Sequence, residues 1–166
     1  GPVYIQTKIK IEQNDNYDNI YEKLVDVGKK SLDLYFSGHQ KFLPIPQDHK
    51  SATYAKKIKK NEMEIFFNEN AFIAHKKVCA FSPKPGAWFT LDSTKYKIFN
   101  TEFIVENNLK ELNNKNNLIL SFKKDYLLIK NIQKEGKNIV PVVEFERGYP
   151  KEFQNIKKKL GPKNFK

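Results

Sequence analysis

The sequence has 166 residues, a formal net charge of +11, and a composition of 39% hydrophobic and 13% aromatic residues. This length fits one ordinary domain or a small domain with part of another, and the apolar content suffices for a buried core, which excludes wholesale disorder. The apolar runs are too short for a membrane-spanning helix, and a single cysteine, Cys79, excludes a disulfide framework and a multi-cysteine zinc site.

The first 38 residues predict a strand followed by a helix. From Val3 to Ile11, apolar and polar side chains alternate, which is typical of a strand with one polar face. Asp15 and Asp18 can cap a helix that ends near Gly38. Its apolar positions recur at helical spacing: Ile20, Leu24, Val27 and Leu34. One strand and one helix cannot bury both of their faces, so we expect this segment to belong to something larger or to pack as an appendage.

A linker and a second helix are expected next. Residues 39–62 lack clear periodicity and contain two prolines and several closely spaced lysines, which is typical of a connecting segment. Asn68 is the expected cap of a helix that continues through Ala71 to Phe81. The helix should stop at Ser82, because the residue before a proline disfavours the α region.

The rest of the sequence predicts four or five short strands. They are Ala87–Leu91, Tyr96–Val105, Leu118–Phe122, Tyr126–Ile132 and Ile139–Val143. Pro141 would confine the last of them to an edge or a bulge. So many short strands in about 60 residues favour a small antiparallel barrel. The predicted fold class is therefore mainly β, with domain limits of 1–38, 39–62 for the linker and 63–166 for the barrel.

Positive charge is unevenly distributed along the chain. Residues 1–46 carry equal numbers of lysines and acidic residues, whereas residues 47–100 have a net charge of +5 and residues 101–166 of +6. All basic residues except Arg147 are lysines, a bias that also suggests an AT-rich genome. A neutral first part joined to a basic second part predicts a polyanionic partner, such as nucleic acid, for the second part.

Several segments resemble methionyl-tRNA formyltransferases, in the order in which that family has them. They match the last helix of the family's catalytic domain (Asp15–Leu34), its linker (Gln47–Lys60), the entry into its C-terminal barrel (Ala80–Trp88) and its closing segment (Gln133–Lys137 and Glu144–Gly148). Together these segments cover nearly the whole chain.

The resemblance implies a specific function. The family transfers a formyl group from 10-formyltetrahydrofolate to the amino group of methionine on initiator tRNA. Its Rossmann-like α/β domain performs the chemistry, and its basic OB-like barrel helps to hold the tRNA. The family's catalytic Asn, His and Asp have no counterpart here. We therefore expect a C-terminal portion: the last strand and helix of the catalytic domain, the linker and the barrel. It is expected to be bacterial, cytoplasmic and monomeric, to bind no cofactor and to be inactive alone.

The resemblance also implies which residues contact tRNA phosphates. The expected set is Lys56, Lys57, Lys59, Lys60, Lys76, Lys77, Lys84, Lys123, Lys124 and Arg147. The alternative for the first four is a solvated connector, and for Lys123 and Lys124 an ordinary charged hairpin turn. Residues 157–159, three further lysines, predict a flexible tail.

Three positions depart from the family's usual pattern. Phe66 and Phe67 stand where the family has an acidic-aromatic pair, Cys79 replaces an arginine, and Lys84 replaces a tryptophan. Neighbouring lysines can restore the charge of a lost arginine but not its bidentate geometry.

The remaining candidates predict structural roles. Trp88, Phe89 and Tyr96 have base stacking as an alternative, but they are assigned to the core, because aromatic side chains dominate buried area. Cys79 is assigned as a buried small hydrophobe. The three histidines, His39, His49 and His75, lack metal-ligand spacing and predict surface or capping positions. No metal site is expected.

Two other classes of function remain open. One is an OB-type RNA-binding module without enzymatic activity, and the other is the tail of a formyltransferase-like sugar-modifying enzyme. The charge after residue 46 disfavours the sugar enzyme, which needs no basic barrel. A purely structural domain is a third, weaker alternative.

Overall fold

A computed structural model describes residues 1–38, 41–112 and 116–163. The chain divides into two compact units, Gly1–Ile58 and Lys59–Lys166. The division falls inside the segment that the sequence predicts as a linker, whereas the expected limits of the catalytic remnant and the barrel stay predictions. His39 lies outside the described residues.

The first unit consists of one long helix and an extended segment. Helix α1 spans Tyr17–Gly38 and ends where predicted, but its cap is Asn16 rather than Asp15, because the Asn16 side chain accepts the hydrogen bond from the Asn19 N–H. The strand predicted from Val3 to Ile11 is wrong, since a strand needs a row of hydrogen bonds to a neighbour and here Val3 alone pairs, with Ile45. The extended segment instead contacts α1 through a hydrogen bond between the hydroxyls of Thr7 and Ser31. None of the described residues of this unit is buried.

The second unit is built on an antiparallel sheet. Its strands are β1 (Ala87–Leu91), β2 (Thr94–Ile104), β3 (Leu118–Ser121), β4 (Tyr126–Lys134) and β5 (Val140–Pro141). They pair in the order β1-β2-β4-β3, and β5 pairs with β4 beyond the end of β3. The predicted antiparallel sheet is confirmed, and Pro141 lies at an edge, where its missing N–H costs no ladder hydrogen bond.

The described strands form an open path. No pairing joins β1 to β3 within the described ranges. OB-like barrels are themselves partly open. Closure of this sheet into an OB-like barrel therefore stays a prediction.

Helices cover the sheet at several points. Helix α2 spans Ala71–Phe81, and its cap is Asn70 rather than the predicted Asn68, because the Asn70 side chain accepts the hydrogen bond from the Phe72 N–H. The others are α3 (Leu109–Leu112), α4 (Val142–Gly148) and α5 (Pro150–Leu160). The sequence reading missed α4 and α5, so the flexible tail predicted at residues 157–159 is wrong and these lysines lie on the last turn of α5.

The core of the second unit lies between the sheet and three helices. It combines inward side chains of the strands with those of α2, α4 and α5; its largest members are Phe89, Phe145, Phe153, Ile98 and Leu120. A smaller cluster on the other side joins Leu109 of α3 to Ile104, Ile119 and Leu128. The sheet is thus held by α4 and α5 as well as by α2.

An ion pair fixes the β1–β2 turn to α5. The Lys159 ammonium donates to both carboxylate oxygens of Asp92 at 2.6 Å, and the Asn155 amide donates at 2.7 Å. The hydrogen bond from Lys159, followed by that from Asn155, lowers the pKa of the Asp92 carboxyl from its usual 3.8. The ionised carboxylate therefore stabilises the fold above pH 3.8, and this contribution is lost as the pH falls through the lowered pKa.

We expect Asp92→Asn to destabilise the second unit at about pH 7, and to do so progressively less as the pH falls below 3.8 and through the lowered pKa of Asp92. Urea unfolding of the wild type and the variant at several pH values measures this. Lys159→Gln removes the same pair from the other side and should show the same convergence. A difference between wild type and variant that is independent of pH would contradict the assignment.

Candidate nucleic-acid interface

The outer face of the sheet carries an aromatic and basic surface. Along β1 and β2, Phe89, Tyr96 and Ile98 point into the core, so their neighbours on each strand point outward. Trp88 pairs directly with Lys97, and Lys97 pairs on its other side with Gln133 of β4. Three adjacent strands therefore present their polar side chains to the same side.

Lys95 contacts the Trp88 ring, and Lys97 contacts the loop that precedes β1. The Lys95 ammonium lies 4.3 Å from the centroid of the Trp88 ring, which is a cation–π distance. The Lys97 ammonium donates to the carbonyl oxygen of Pro85 at 2.8 Å, which places it next to the loop that carries the exposed Lys84. We call the residues Lys84, Trp88, Lys95, Lys97, Gln133 and Glu135 the basic sheet face.

Gly86 allows the Lys84 loop to approach the sheet. Its φ is +89°, a conformation that L side chains rarely adopt. A Cβ at this position would lie 2.8 Å from the Phe99 ring and 3.1 Å from the Lys97 side chain. The close approach of this loop to Phe99 and Lys97 therefore requires glycine here.

A shallow cavity of about 320 Å³ opens on the same face. Its lining residues are Lys95, Lys97, Gln133, Glu135 and Gly136. Glu135 is the one carboxylate among these five, and no described carboxylate lies within salt-bridge distance of Lys95 or Lys97. The ammonium groups of this face are therefore available to an anionic ligand.

Two of the predicted linker lysines, Lys59 and Lys60, belong to the second unit and precede, in the chain, the residues that contact β1. They lead through a 3-10 turn, Lys60–Met63, into Glu64, which forms an isolated β-bridge with Trp88. The Ile65 N–H donates to the Trp88 carbonyl at 2.8 Å. Lys59 and Lys60 are exposed and stand within five residues of this bridge. Lys56 and Lys57 are exposed too, but they belong to the first unit.

The predicted lysines of α2 already have partners within the protein. Lys77 donates to the Glu64 carbonyl at 2.6 Å, lies 3.6 Å from the Glu69 carboxylate and stands over the Phe66 ring at 5.4 Å. Lys76 stands over the Phe72 ring at the same distance. These side chains are half-buried, so they pack the helix against its surroundings as well as carrying charge.

The other predicted contacts lie elsewhere on the second unit. Lys123 and Lys124 are exposed on the β3–β4 hairpin, whose backbone is bonded to the start of α2 through the Lys124 carbonyl and the Ala71 N–H. Arg147 is exposed on the last turn of α4. The basic sheet face includes Lys84 from the predicted set, whereas the described contacts do not join the hairpin or Arg147 to it.

Sequence reasoning missed Lys95 and Lys97 and misplaced Trp88. The assignment of Trp88 to the core is wrong, because it is half-buried on the outer face, while Phe89 and Tyr96 are buried as predicted. The alternation of Lys95 and Lys97 with Tyr96 and Ile98 was the available signal. β2 begins two residues earlier than predicted, which brings Lys95 into the strand on the same outer face as Lys97.

His75 and Cys79 form a buried polar pair in α2. The surface position predicted for His75 is wrong, since it is 1% exposed and its Nδ1 lies 2.9 Å from the Thr101 hydroxyl. Its Nε2 lies 3.6 Å from the Cys79 sulfur, and Cys79 is buried as predicted. A histidine that finds hydrogen-bond partners can replace an apolar side chain in a core, a possibility that spacing along the sequence does not reveal. His49 is exposed, as predicted.

Two further classes of site have no support in the described ranges. No helix there is long and apolar enough to cross a membrane. Across residues 1–38, 41–112 and 116–163, no group of three or more His, Cys, Asp or Glu side chains could hold a metal ion.

Comparisons with known proteins agree on one family. The family model described as "Formyl transferase, C-terminal domain" matches residues 57–150. A methionyl-tRNA formyltransferase of Wolbachia pipientis is 34% identical over 149 residues, which are 89% of this chain and 48% of that protein, and one of Kosmotoga olearia is 30% identical over 159 residues, with 89% and 50% covered. The chain thus spans about half the length of the curated relatives it matches.

Solved structures agree on the fold. A crystal structure of HypX from Aquifex aeolicus superposes with a TM-score of 0.64 at 14% identity, covering 96% of this chain and 28% of that one. A second, of HypX in complex with tetrahydrofolic acid, gives a TM-score of 0.62 at 15% identity, with the same shares covered. At these identities the likeness concerns the fold alone.

Proposed function

This chain belongs to the formyl transferase C-terminal domain family, and from that premise we propose that its basic sheet face binds the tRNA substrate of a methionyl-tRNA formyltransferase. The observation that carries the proposal is the pair of Lys95 and Lys97 beside Trp88, with Lys84 exposed on the loop whose Pro85 carbonyl accepts from Lys97. Their ammonium groups have no carboxylate partner in the part of the chain that the structure describes. Lys59 and Lys60, exposed near the bridge to β1, extend the same charge.

The mechanism we propose is electrostatic recognition of a folded RNA. RNA helices offer phosphates and 2′-hydroxyls across a shallow minor groove, so a basic surface reads shape more than sequence. Docking of the tRNA would place its acceptor end for formylation, and the initiator tRNA is the expected form. The other predicted lysines and Arg147 would add weaker contacts or bind elsewhere on the tRNA.

The formyl donor and the cellular setting follow from the same proposal. A folate donor, 10-formyltetrahydrofolate, is consistent with the tetrahydrofolic acid bound to the HypX relative in fold. We propose that these 166 residues bind tRNA as a cytoplasmic monomer and do not transfer formyl groups by themselves. Turnover of methionyl-tRNA by this chain with 10-formyltetrahydrofolate would refute the last point.

The test is the affinity for labelled initiator tRNA, measured by fluorescence anisotropy. The double variant Lys95→Gln/Lys97→Gln should bind about tenfold more weakly, because it removes two phosphate contacts that are each worth about 1 kcal/mol or less. An excess of unlabelled single-stranded RNA should compete less well than unlabelled tRNA.

The matched control is Lys29→Gln/Lys30→Gln, which makes the same change in net charge at two exposed positions of α1. We expect it to bind nearly as well as the wild type. If both double variants lose the same affinity, net charge alone attracts the RNA, and the basic sheet face is not the binding surface. Equal competition by single-stranded RNA would indicate a generic strand-binding module instead.

A further inference from the structure

We propose that Trp88 is a stacking position for an unpaired RNA base, so that the basic sheet face holds an exposed nucleotide as well as helical phosphates. This inference rests on the proposed RNA binding and deepens it. Trp88 is the one tryptophan of the chain, and it lies half-buried on the outer face, whereas the neighbouring aromatic residues of the sheet, Phe89 and Tyr96, are buried in the core.

The backbone at Trp88 is held by strand pairing on one side and a hydrogen bond on the other, while the face of its ring is covered by the Lys95 side chain. On one side β1 pairs with β2 through the Trp88–Lys97 pair, and on the other the Trp88 carbonyl accepts the Ile65 N–H. The ring is therefore presented from a fixed strand, a favourable arrangement for stacking because little conformational entropy is lost.

Lys95 supplies the cation that a stacked nucleotide needs. Its ammonium covers the Trp88 ring at 4.3 Å and has no carboxylate within salt-bridge distance among the described residues. A base that takes this ring face displaces the ammonium, which can then pair with the phosphate of the same nucleotide. The cation–π contact that is lost is replaced by stacking and a charge-assisted contact.

The adjacent cavity can hold the polar edge of the base. It has a volume of about 320 Å³, at the lower end for small-molecule sites. Gln133 and Glu135 line it beside the two lysines, and an amide and a carboxylate can hydrogen-bond the edge of a splayed base. A base inside an RNA helix keeps its faces stacked on its neighbours, so the site selects loops, bulges or ends.

The single tryptophan makes the test direct in the wild-type chain. Titration with a single-stranded RNA of about eight nucleotides should quench the tryptophan fluorescence along the same curve that anisotropy gives for binding. A fully paired RNA hairpin closed by a non-nucleotide linker should bind, since its phosphates still meet the lysines, but should leave the fluorescence nearly unchanged.

Two variants measure the contribution of the ring. Trp88→Leu should weaken binding of the single-stranded RNA about tenfold, while binding of the closed hairpin changes less than twofold. Trp88→Phe keeps an aromatic face and should recover most of the affinity. Phe36→Leu, at an aromatic residue of α1 that is 72% exposed, is the matched control and should bind both RNAs like the wild type.

The outcomes separate this inference from the proposed function. Binding of single-stranded RNA without quenching, or equal quenching by the closed hairpin, would overturn the stacking position and leave RNA binding intact. Equal loss of hairpin binding in Trp88→Leu would overturn it as well, since a ring that merely shapes the surface affects both RNAs. No RNA binding at all by anisotropy would remove the proposed function itself.

Discussion

Raising the salt concentration from about 50 mM to about 200 mM should weaken tRNA binding by this chain roughly 200-fold. Lys84, Lys95 and Lys97 on the basic sheet face, with Lys59 and Lys60 near its edge, can together meet about five phosphates. Each neutralised phosphate releases condensed counterions, so the logarithm of the affinity should fall with the logarithm of the salt concentration at a slope of about −4. Anisotropy titrations of labelled tRNA at several KCl concentrations measure the slope.

The double variant Lys95→Gln/Lys97→Gln should lower the magnitude of that slope by about two, because two phosphate contacts are gone. The control variant Lys29→Gln/Lys30→Gln should keep the slope of the wild type, as its lysines lie on α1. A flat salt response in the wild type would contradict binding through phosphates altogether. An unchanged slope in the first variant would place the phosphate contacts elsewhere, for example at Lys123 and Lys124.

Local pattern was sufficient for the sheet of the second unit. β1 has the predicted bounds, Ala87–Leu91, because this short, mostly apolar run lies between a proline-rich turn and the Asp92-Ser93 turn. β2 begins at Thr94, two residues before the predicted start. The predicted strand therefore includes Lys97 but leaves out Lys95, the lysine that covers the Trp88 ring.

Sequence patterns gave wrong predictions where the structure of a segment depends on which other segment it pairs with. Alternation from Val3 to Ile11 suits a strand, yet an isolated segment has no ladder to join, and in the first unit only Val3 pairs with a neighbour among the described residues. Sequence alone predicts Trp88 as a core residue, since large aromatic residues usually are buried. Which face of the sheet Trp88 occupies depends on how β1 pairs with β2 and packs on the helices. The sequence of β1 alone does not reveal that pairing.

The candidate site and the core are formed by side chains that alternate between the two faces of β1 and β2. On β1 and β2, the inward set of Phe89, Tyr96 and Ile98 holds the helices, and the outward set of Trp88, Lys95 and Lys97 meets the solvent. A shift of one residue in the register would exchange the two sets. The inward packing therefore fixes the geometry of the basic sheet face, and α4 and α5, which complete that packing, matter for function although they carry few of the proposed contacts.

Phe145→Ala should destabilise the second unit by about 3–5 kcal/mol, a large part of the roughly 5–15 kcal/mol that stabilises an ordinary domain. Phe145 is fully buried on α4, with its ring centroid 5.2 Å from that of Tyr149 and 6.2 Å from that of Tyr96 on β2. Removing the ring leaves a cavity between the helix and the sheet. Because Trp88 is the single tryptophan and lies on β1, urea unfolding followed by its fluorescence reports on this unit.

The control for this prediction is Phe36→Ala, which removes a ring that is 72% exposed on α1 and should change the unfolding free energy by less than about 0.5 kcal/mol. The β-branched Val142 and Val143 favour a strand, but Phe145 and Tyr149 follow Val142 at helical spacing. The buried Phe153 and Ile156 continue this spacing on α5. If Phe145→Ala and Phe36→Ala had the same small effect, residue 145 would not be packed against the sheet, and the strand predicted for residues 139–143 would have to be reconsidered. A large loss in Phe145→Ala alone would show that the packing of α4 sets the stability of the sheet that carries the basic sheet face.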